Sequence, residues 1–318
     1  MPKLLERARQ ALLDADFVCP HTDADGLAAG AIALRARGES AQKALLLGRD
    51  ENPWHDGVLP DGYPAILDQG IRKLDRPALI VDHHAPEAKP TKEQIYIGGH
   101  GEPEGVSTSV LMRRIVPDAP PWLAAVGAAG DYGDAGLKRP ECVGEGDQRV
   151  VKTHVKKLVS LVNAPRRTPR IEPVRTALAL LVESESPKAA LADERVKELE
   201  DCKAEYRAAF DATMKTAPRV NDTVAVIRFS SPYQIHPLIA QTWLRRLAPK
   251  VVIAANDDYL PGMTNFACRG GPDDLDLRQF LKDALPDATG EFAHGHTKAT
   301  GGSLPPGQFD QLLLALGL

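Results

Sequence analysis

Thiols, aromatic rings and long apolar runs are scarce in this sequence, and each shortage closes off a class of protein. The four cysteines, Cys19, Cys142, Cys202 and Cys268, lie far apart with no CxxC spacing. A thiolate zinc site or a redox pair is therefore excluded, and a reduced, cytoplasmic compartment is expected. Aromatic residues are only 5% of the chain, with Tyr233, Trp243, Phe266 and Phe292 the rings in its last third that are available to stack on bases. No apolar run reaches the ~18 residues of a bilayer span, and the N-terminus lacks a secretory pattern, so no membrane association is expected. Excess positive charge is missing too. A formal charge of −4 argues against a protein that coats nucleic acid indiscriminately, leaving only a local basic groove. Length is sufficient: 318 residues accommodate two domains with separate cores.

What the sequence does contain is organised around residues 78–86, ALIVDHHAP. Four apolar residues without alternation read as a strand buried on both faces, ending at Asp82-His83-His84. Metal-competent side chains at the C-terminal end of such a strand stand where open α/β sheets hold their ligands. Three further apolar runs end the same way. Residues 16–20 lead into His21-Thr22-Asp23-Ala24-Asp25-Gly26, residues 63–67 end at Asp68, and residues 122–130 end at Asp131. One acid after a strand is commonly a cap or turn residue; four in one half of a chain exceed what capping needs.

Between these runs, residues 3–14 and 26–38 have the spacing of helices, and residues 43–47 read as a short strand. Gly98-Gly99-His100-Gly101 reads as a surface loop. Ser107-Thr108-Ser109 reads as a helix cap and start, with hydroxyls facing the site as the alternative. Residues 148–175 are basic, through Lys152, Lys156, Lys157, Arg166, Arg167, Arg170 and Arg175. They read as a solvated helix face plus linker, the alternative being a phosphate-tracking flank. A long helix is expected over residues 187–217, followed by a second domain of strands and amphipathic helices from about residue 221.

His21, Asp23, Asp25, Asp68, His83 and Asp131 together offer four carboxylates and two imidazoles. A mixed set without thiolates suits manganese or magnesium better than structural zinc. So many converging anions repel one another and raise their pKa values. Two divalent cations ~3.5–4 Å apart relieve that and are a recurring device for phosphodiester hydrolysis.

The ordered motifs resemble the DHH phosphoesterase family, in the branch of RecJ-like single-strand exonucleases and short-oligonucleotide hydrolases. HTDADGLAAG, ILDQG, VDHH and AAVGAAGDYGD are similar to its four motifs. In the last third, IHPLIAQTWLRRL, CRGG and HGHTKATGG resemble its DHH-associated domain. The resemblance implies an α/β fold: a mostly parallel-sheet DHH domain (residues 1–164), a linker and long helix (165–218), and a smaller α/β DHH-associated domain (219–318). The active site would lie in the cleft between the two domains.

By that resemblance His21, Asp23 and Asp68 bind one metal, and Asp25, Asp68, His83 and Asp131 bind the other. Asp82 orients a histidine and His84 faces the scissile phosphate. Arg269, His236, Gly295, His296 and Gly301 bind substrate. His21 stands two residues before Asp23 where many members have four, and His294 replaces a motif glycine. The resemblance further implies two Mn2+ per site, with Mg2+ as the alternative. The activity it implies is hydrolysis of single-stranded DNA or RNA, or of short oligonucleotides, to nucleoside monophosphates. The alternatives are a dinucleotide or 3′-phosphoadenosine 5′-phosphate hydrolase and, less favoured, an inactive scaffold in a replication or repair complex. Expected partners are the nucleic-acid substrate and either a second copy of the chain or a repair or replication protein.

Overall fold

The computed structural model describes residues 2–102, 105–146, 149–288 and 291–318, without the side chain of His294. Gln148, where the basic segment starts, and the His294 side chain therefore lie outside the description. The chain divides into two compact units, residues 1–166 with 170–203, and residues 167–169 with 204–318.

The first unit runs α1 (Pro2–Asp14), β1 (Phe17–Pro20), α2 (Ala24–Arg37), β2 (Pro64–Leu67), β3 (Ala78–Asp82), β4 (Gln94–Gly98), α3 (Thr108–Ile115) and α4 (Pro121–Tyr132), then α5 (Lys152–Val162), α6 (Glu172–Glu183) and α7 (Pro187–Ala192). Its four strands pair in sequence order, all parallel. Parallel pairing brings the strand C-termini to one edge, so His21, Asp68 and His83 leave the sheet side by side. The absence of alternation has a simple cause: both faces are covered. Val18, Ala65, Leu67, Leu79 and Val81 join the main core with α1–α4, whereas Ile66, Ala78 and Ile80 pack under Trp54 and Ile71.

Several expectations need correction. Residues 43–47 are not a strand. A short 3-10 turn over Ala41–Lys43 and one bridge from Val18 to Ala44 stand there, because Arg175 takes the carbonyls of Ala41 and Ala44. The apolar run before Asp131, unlike the other three, is a helix, α4. Residues 170–203 form no linker: Val174, Ala177, Leu178, Leu181 and Ala190 are buried in the first core. Nor is there one long helix after residue 187. α7 ends at Ala192 and α8 spans Val196–Thr213. Between them the Asp193 carboxylate accepts the Arg195 N–H and guanidinium, a local bond that competes with the helix.

The second unit contains β5 (Arg219–Val220), β6 (Val224–Phe229), α9 (His236–Leu247), β7 (Val251–Leu260), β8 (Met263–Gly270), α10 (Leu277–Ala284), β9 (Phe292–His296), β10 (Ala299–Leu304) and α11 (Pro306–Ala315). The sheet order is β5-β6-β7-β8-β10-β9, with β6 and β7 parallel and the other pairs antiparallel. Phe266, Phe309, Leu277 and Leu281 fill its core. The segment HGHTKATGG is a hairpin formed by β9 and β10.

Candidate metal centre

Every acid of the four motifs comes from a chain reversal at the sheet edge or at a helix end. Asp23 caps α2, its Oδ1 accepting the Gly26 N–H at 3.1 Å. Asp25 follows in the first turn, fully buried. Asp68 ends β2 in the left-handed region, φ 64°, a conformation uncommon outside glycine and frequent where function requires strain. Asp131 comes from the last turn of α4.

These side chains form three overlapping groups: His21, Asp23 and Asp68; Asp25, His83 and Asp131; Asp68, His83 and His84. Within each group one potential ligand atom per residue lies within 4.8 Å of the others. Asp68 Oδ1 is 3.5 Å from His83 Nε2 and 3.9 Å from His84 Nδ1, and its Oδ2 is 3.8 Å from His21 Nδ1. His83 Nε2 is 3.3 Å from Asp131 Oδ2. His21 Nδ1 and His83 Nε2 are both buried without an aligned hydrogen bond, although carboxylate oxygens surround them. Buried polar atoms are normally satisfied. Two imidazole nitrogens left so among anionic oxygens form a donor set that fits divalent cations.

The groups around this cluster fix its charges. Asp25 accepts the Thr108 and Ser109 amides at 2.6 and 3.0 Å, and Thr108 Oγ1 donates to Asp68 Oδ1 at 2.8 Å. The start of α3 thus faces the site through both amides and a hydroxyl, and Ser107 makes no side-chain cap. This is the reading the sequence ranked second. Asp82 accepts the N–H and Nδ1 of His84 on one oxygen and the Gly70 N–H on the other. It therefore holds both His84 and the turn after Asp68. His83 Nδ1 meets the Tyr132 hydroxyl at 2.9 Å. Arg166 donates to Asp23 Oδ2 at 3.0 Å, and Asn163 accepts the Ala24 N–H.

Sequence reasoning gives Tyr132 and Asn163 no place in the site, and Arg166 one only in the alternative reading of the basic segment. Tyr132 adjoins Asp131, a usable signal, whereas Arg166 is one cation among many in a basic run. Asp134 turns away to Lys156, and His100 is exposed beyond β4.

Burial raises the Asp68 carboxyl well above its ordinary range, and Asp25, Asp23, Asp131 and Asp82 add to it. Burial, then Asp25 and Asp23, push Asp131 up to about 9. Burial would raise Asp23 as well, but His21 and Arg166 outweigh it and hold the group well below the usual range. Burial lowers His83. For His84 the bond to Asp82 overcomes burial and raises it.

Gly127 of α4 passes directly over this cluster. A Cβ there would collide with Ser109 Oγ and Asp25 Oδ1, so Gly127→Ala is expected to destabilise the protein by about 1–3 kcal/mol and to weaken cation binding. Thermal melts and a manganese titration check this against Gly307→Ala, where nothing lies within 4 Å.

In the second unit, His236, Arg269 and Gly301 line one pocket of about 310 Å³ together with Phe266, Glu291 and Thr300. One nitrogen of the Arg269 guanidinium is held within the unit: Nη1 donates to the carbonyls of Cys268 and Thr300 at 2.9 and 3.0 Å. Gly295 and His296 do not line this pocket; they are exposed near the end of the β9–β10 hairpin.

No protein-family model and no curated protein matches this chain. Solved structures do. RecJ from Thermus thermophilus in complex with Mn2+ matches with a TM-score of 0.68 at 18% identity, over 99% of this chain and 55% of that one. The chain thus spans about half the length of that RecJ. A second structure, exonuclease RecJ bound to manganese, gives 0.64 at 18% identity, covering 99% of this chain and 94% of that one. The pGpG-specific phosphodiesterase PggH from Vibrio cholerae gives 0.52 at 13%, covering 94% and 96%. Identity this low speaks for architecture, and the architecture of this chain is the DHH phosphoesterase fold.

Proposed function

We propose that the protein is a phosphodiesterase using two divalent cations, manganese or magnesium, to hydrolyse single-stranded DNA or RNA or short oligonucleotides to nucleoside monophosphates. The observation that carries this is the set of three aspartate and histidine groups that overlap through Asp68 and His83. The likeness to RecJ structures holding Mn2+ supports it. His21, Asp23 and Asp68 would hold one cation, and Asp25, Asp68, His83 and Asp131 the other. Bound there, the cations would neutralise the phosphodiester and make a water acidic enough to attack near neutral pH.

The chain's own groups do the remainder. Asp82 fixes the His84 ring through Nδ1 and favours its charged form, so Nε2 is the atom that donates to a phosphate oxygen. Tyr132 orients His83, and a partner of this kind typically changes metal affinity 10–100-fold. Arg166 brings a guanidinium to the rim at Asp23, where it can share a phosphate. The first unit would be catalytic, and the pocket of His236, Arg269 and Gly301 in the second would hold the rest of the substrate, with Gly295 and His296 at its hairpin. A cytoplasmic enzyme with a second copy or a repair protein as partner accords with this reading.

A dinucleotide or 3′-phosphoadenosine 5′-phosphate hydrolase is the second reading, favoured by the match over nearly the whole of PggH. Labelled RNA and DNA strands of two and twenty nucleotides, digested with manganese and resolved by product, separate the two. Absence of hydrolysis of every substrate with manganese or magnesium ends both.

A further inference from the structure

Beside the carboxylate cluster the charge of this chain changes sign. Its formal charge is −4, yet residues 138–167 hold eight basic and three acidic side chains, and no carboxylate occurs between residues 148 and 171. α5 packs on α4, whose last turn carries Asp131. Three residues on, Asp134 Oδ1 meets Lys156 Nζ at 2.7 Å. Lys152 lies one helical turn before Lys156 on the same face of α5. Lys138 ends the 3-10 turn Gly136–Lys138, which packs against α4. The bond to Lys156, with Lys152 and Lys138 behind it, holds the Asp134 carboxyl below its ordinary range.

Of these three exposed ammonium groups only Lys156 pairs with Asp134; Lys138 and Lys152 make no ion pair among the described residues. Stability gives no reason for this arrangement. An exposed pair contributes about 0–1 kcal/mol, and the additional cations repel one another. What such a cluster suits is a polyanion, and it adjoins the carboxylate cluster proposed above to act on a phosphodiester.

We propose that Lys138, Lys152 and Lys156 form a track for the sugar–phosphate backbone of a single strand, carrying nucleotides beyond the one at the metal centre. This rests on the nuclease reading above and sharpens it: the substrate is a polymer, held along α5, rather than a dinucleotide. Lys156 exchanges Asp134 for a phosphate when the strand arrives.

The test measures manganese-dependent hydrolysis of a twenty-nucleotide strand and of a dinucleotide over a series of salt concentrations. For the Lys138→Glu/Lys152→Glu double variant, KM for the long strand is expected to rise about tenfold with kcat held. The slope of log(kcat/KM) against log[salt] should fall by about 1.4, two phosphate contacts of a single strand. KM for the dinucleotide should move less than twofold. The charge-matched Lys3→Glu/Lys43→Glu variant, altered on α1 and the Ala41–Lys43 turn, should keep the wild-type slope. An unchanged long-strand KM, or an equal rise in the charge-matched variant, overturns the track and leaves the nuclease reading standing. A wild-type protein that hydrolyses neither substrate overturns the nuclease reading, and the track with it.

Discussion

Asp68→Asn is expected to lower cation-dependent hydrolysis on the order of 10³-fold while raising the melting temperature of the metal-free protein. The first effect follows from position. Asp68 is grouped with His21 and Asp23 and lies 3.5 Å from His83 Nε2, a residue of the other proposed site, so its loss disturbs both proposed cation sites at once. Cations at such a site supply several kcal/mol of charge stabilisation, and about 4 kcal/mol corresponds to 10³ in rate. The second effect follows from burial and from the four carboxylates that together raise Asp68 well above its ordinary range. Asparagine has the same shape without the charge and can still accept from Thr108 Oγ1. The left-handed backbone is also tolerated by asparagine. Hydrolysis assays, a manganese titration and melts in a chelator check the three consequences. A variant that keeps a tenth of the activity, or that melts lower without metal, would remove Asp68 from the centre of the site.

That opposition between function and stability explains which parts of the molecule were readable in advance. Buried parallel strands announce themselves as apolar runs, and an acid after each run marks the ligand edge. β1, β2 and β3 and the cluster of His21, Asp23, Asp25, Asp68, His83 and Asp131 were therefore legible. Asp131 was legible as a ligand candidate, but the run before it is α4, since Ala and Gly suit close helix packing as well as a strand. The partners of the ligands were harder to read. Thr108 and Ser109 look like any helix start, and only the fold reveals that Asp25 occupies the amides a cap would have taken. Arg166 and Asn163 come from a segment with no apolar run to anchor a register. The surroundings of Arg269 were hidden for a different reason. Sequence reveals a guanidinium but not the carbonyls of Cys268 and Thr300 that take one of its nitrogens.

The metal-free protein is expected to lose stability as pH rises from 7 to 9, by about 2 kcal/mol or about 5 °C. Asp131 is raised to about 9 and Asp68 is raised as well. A raised acid binds its proton more tightly in the fold than in the unfolded chain, where its pKa is ~3.9. The stability it contributes is complete below that value and disappears as pH climbs to the folded value. One proton gives at most about 1.4 kcal/mol per pH unit; water reaching Asp131, whose side chain is 26% exposed, reduces this. His84, raised by Asp82, acts in the same direction, its contribution also lost with rising pH. His83 is lowered and acts oppositely, but only below its unfolded value of ~6.5, outside this window. Divalent cations should reverse the trend. They bind the deprotonated carboxylates, so the gain in melting temperature on adding Mg2+ should be larger at pH 9 than at pH 7. Melts with chelator and with Mg2+ at the two pH values, repeated on Asp131→Asn, measure both slopes. The variant should flatten the chelator series, and a wild type equally stable at both pH values without metal would mean that these carboxylates do not share one desolvated site.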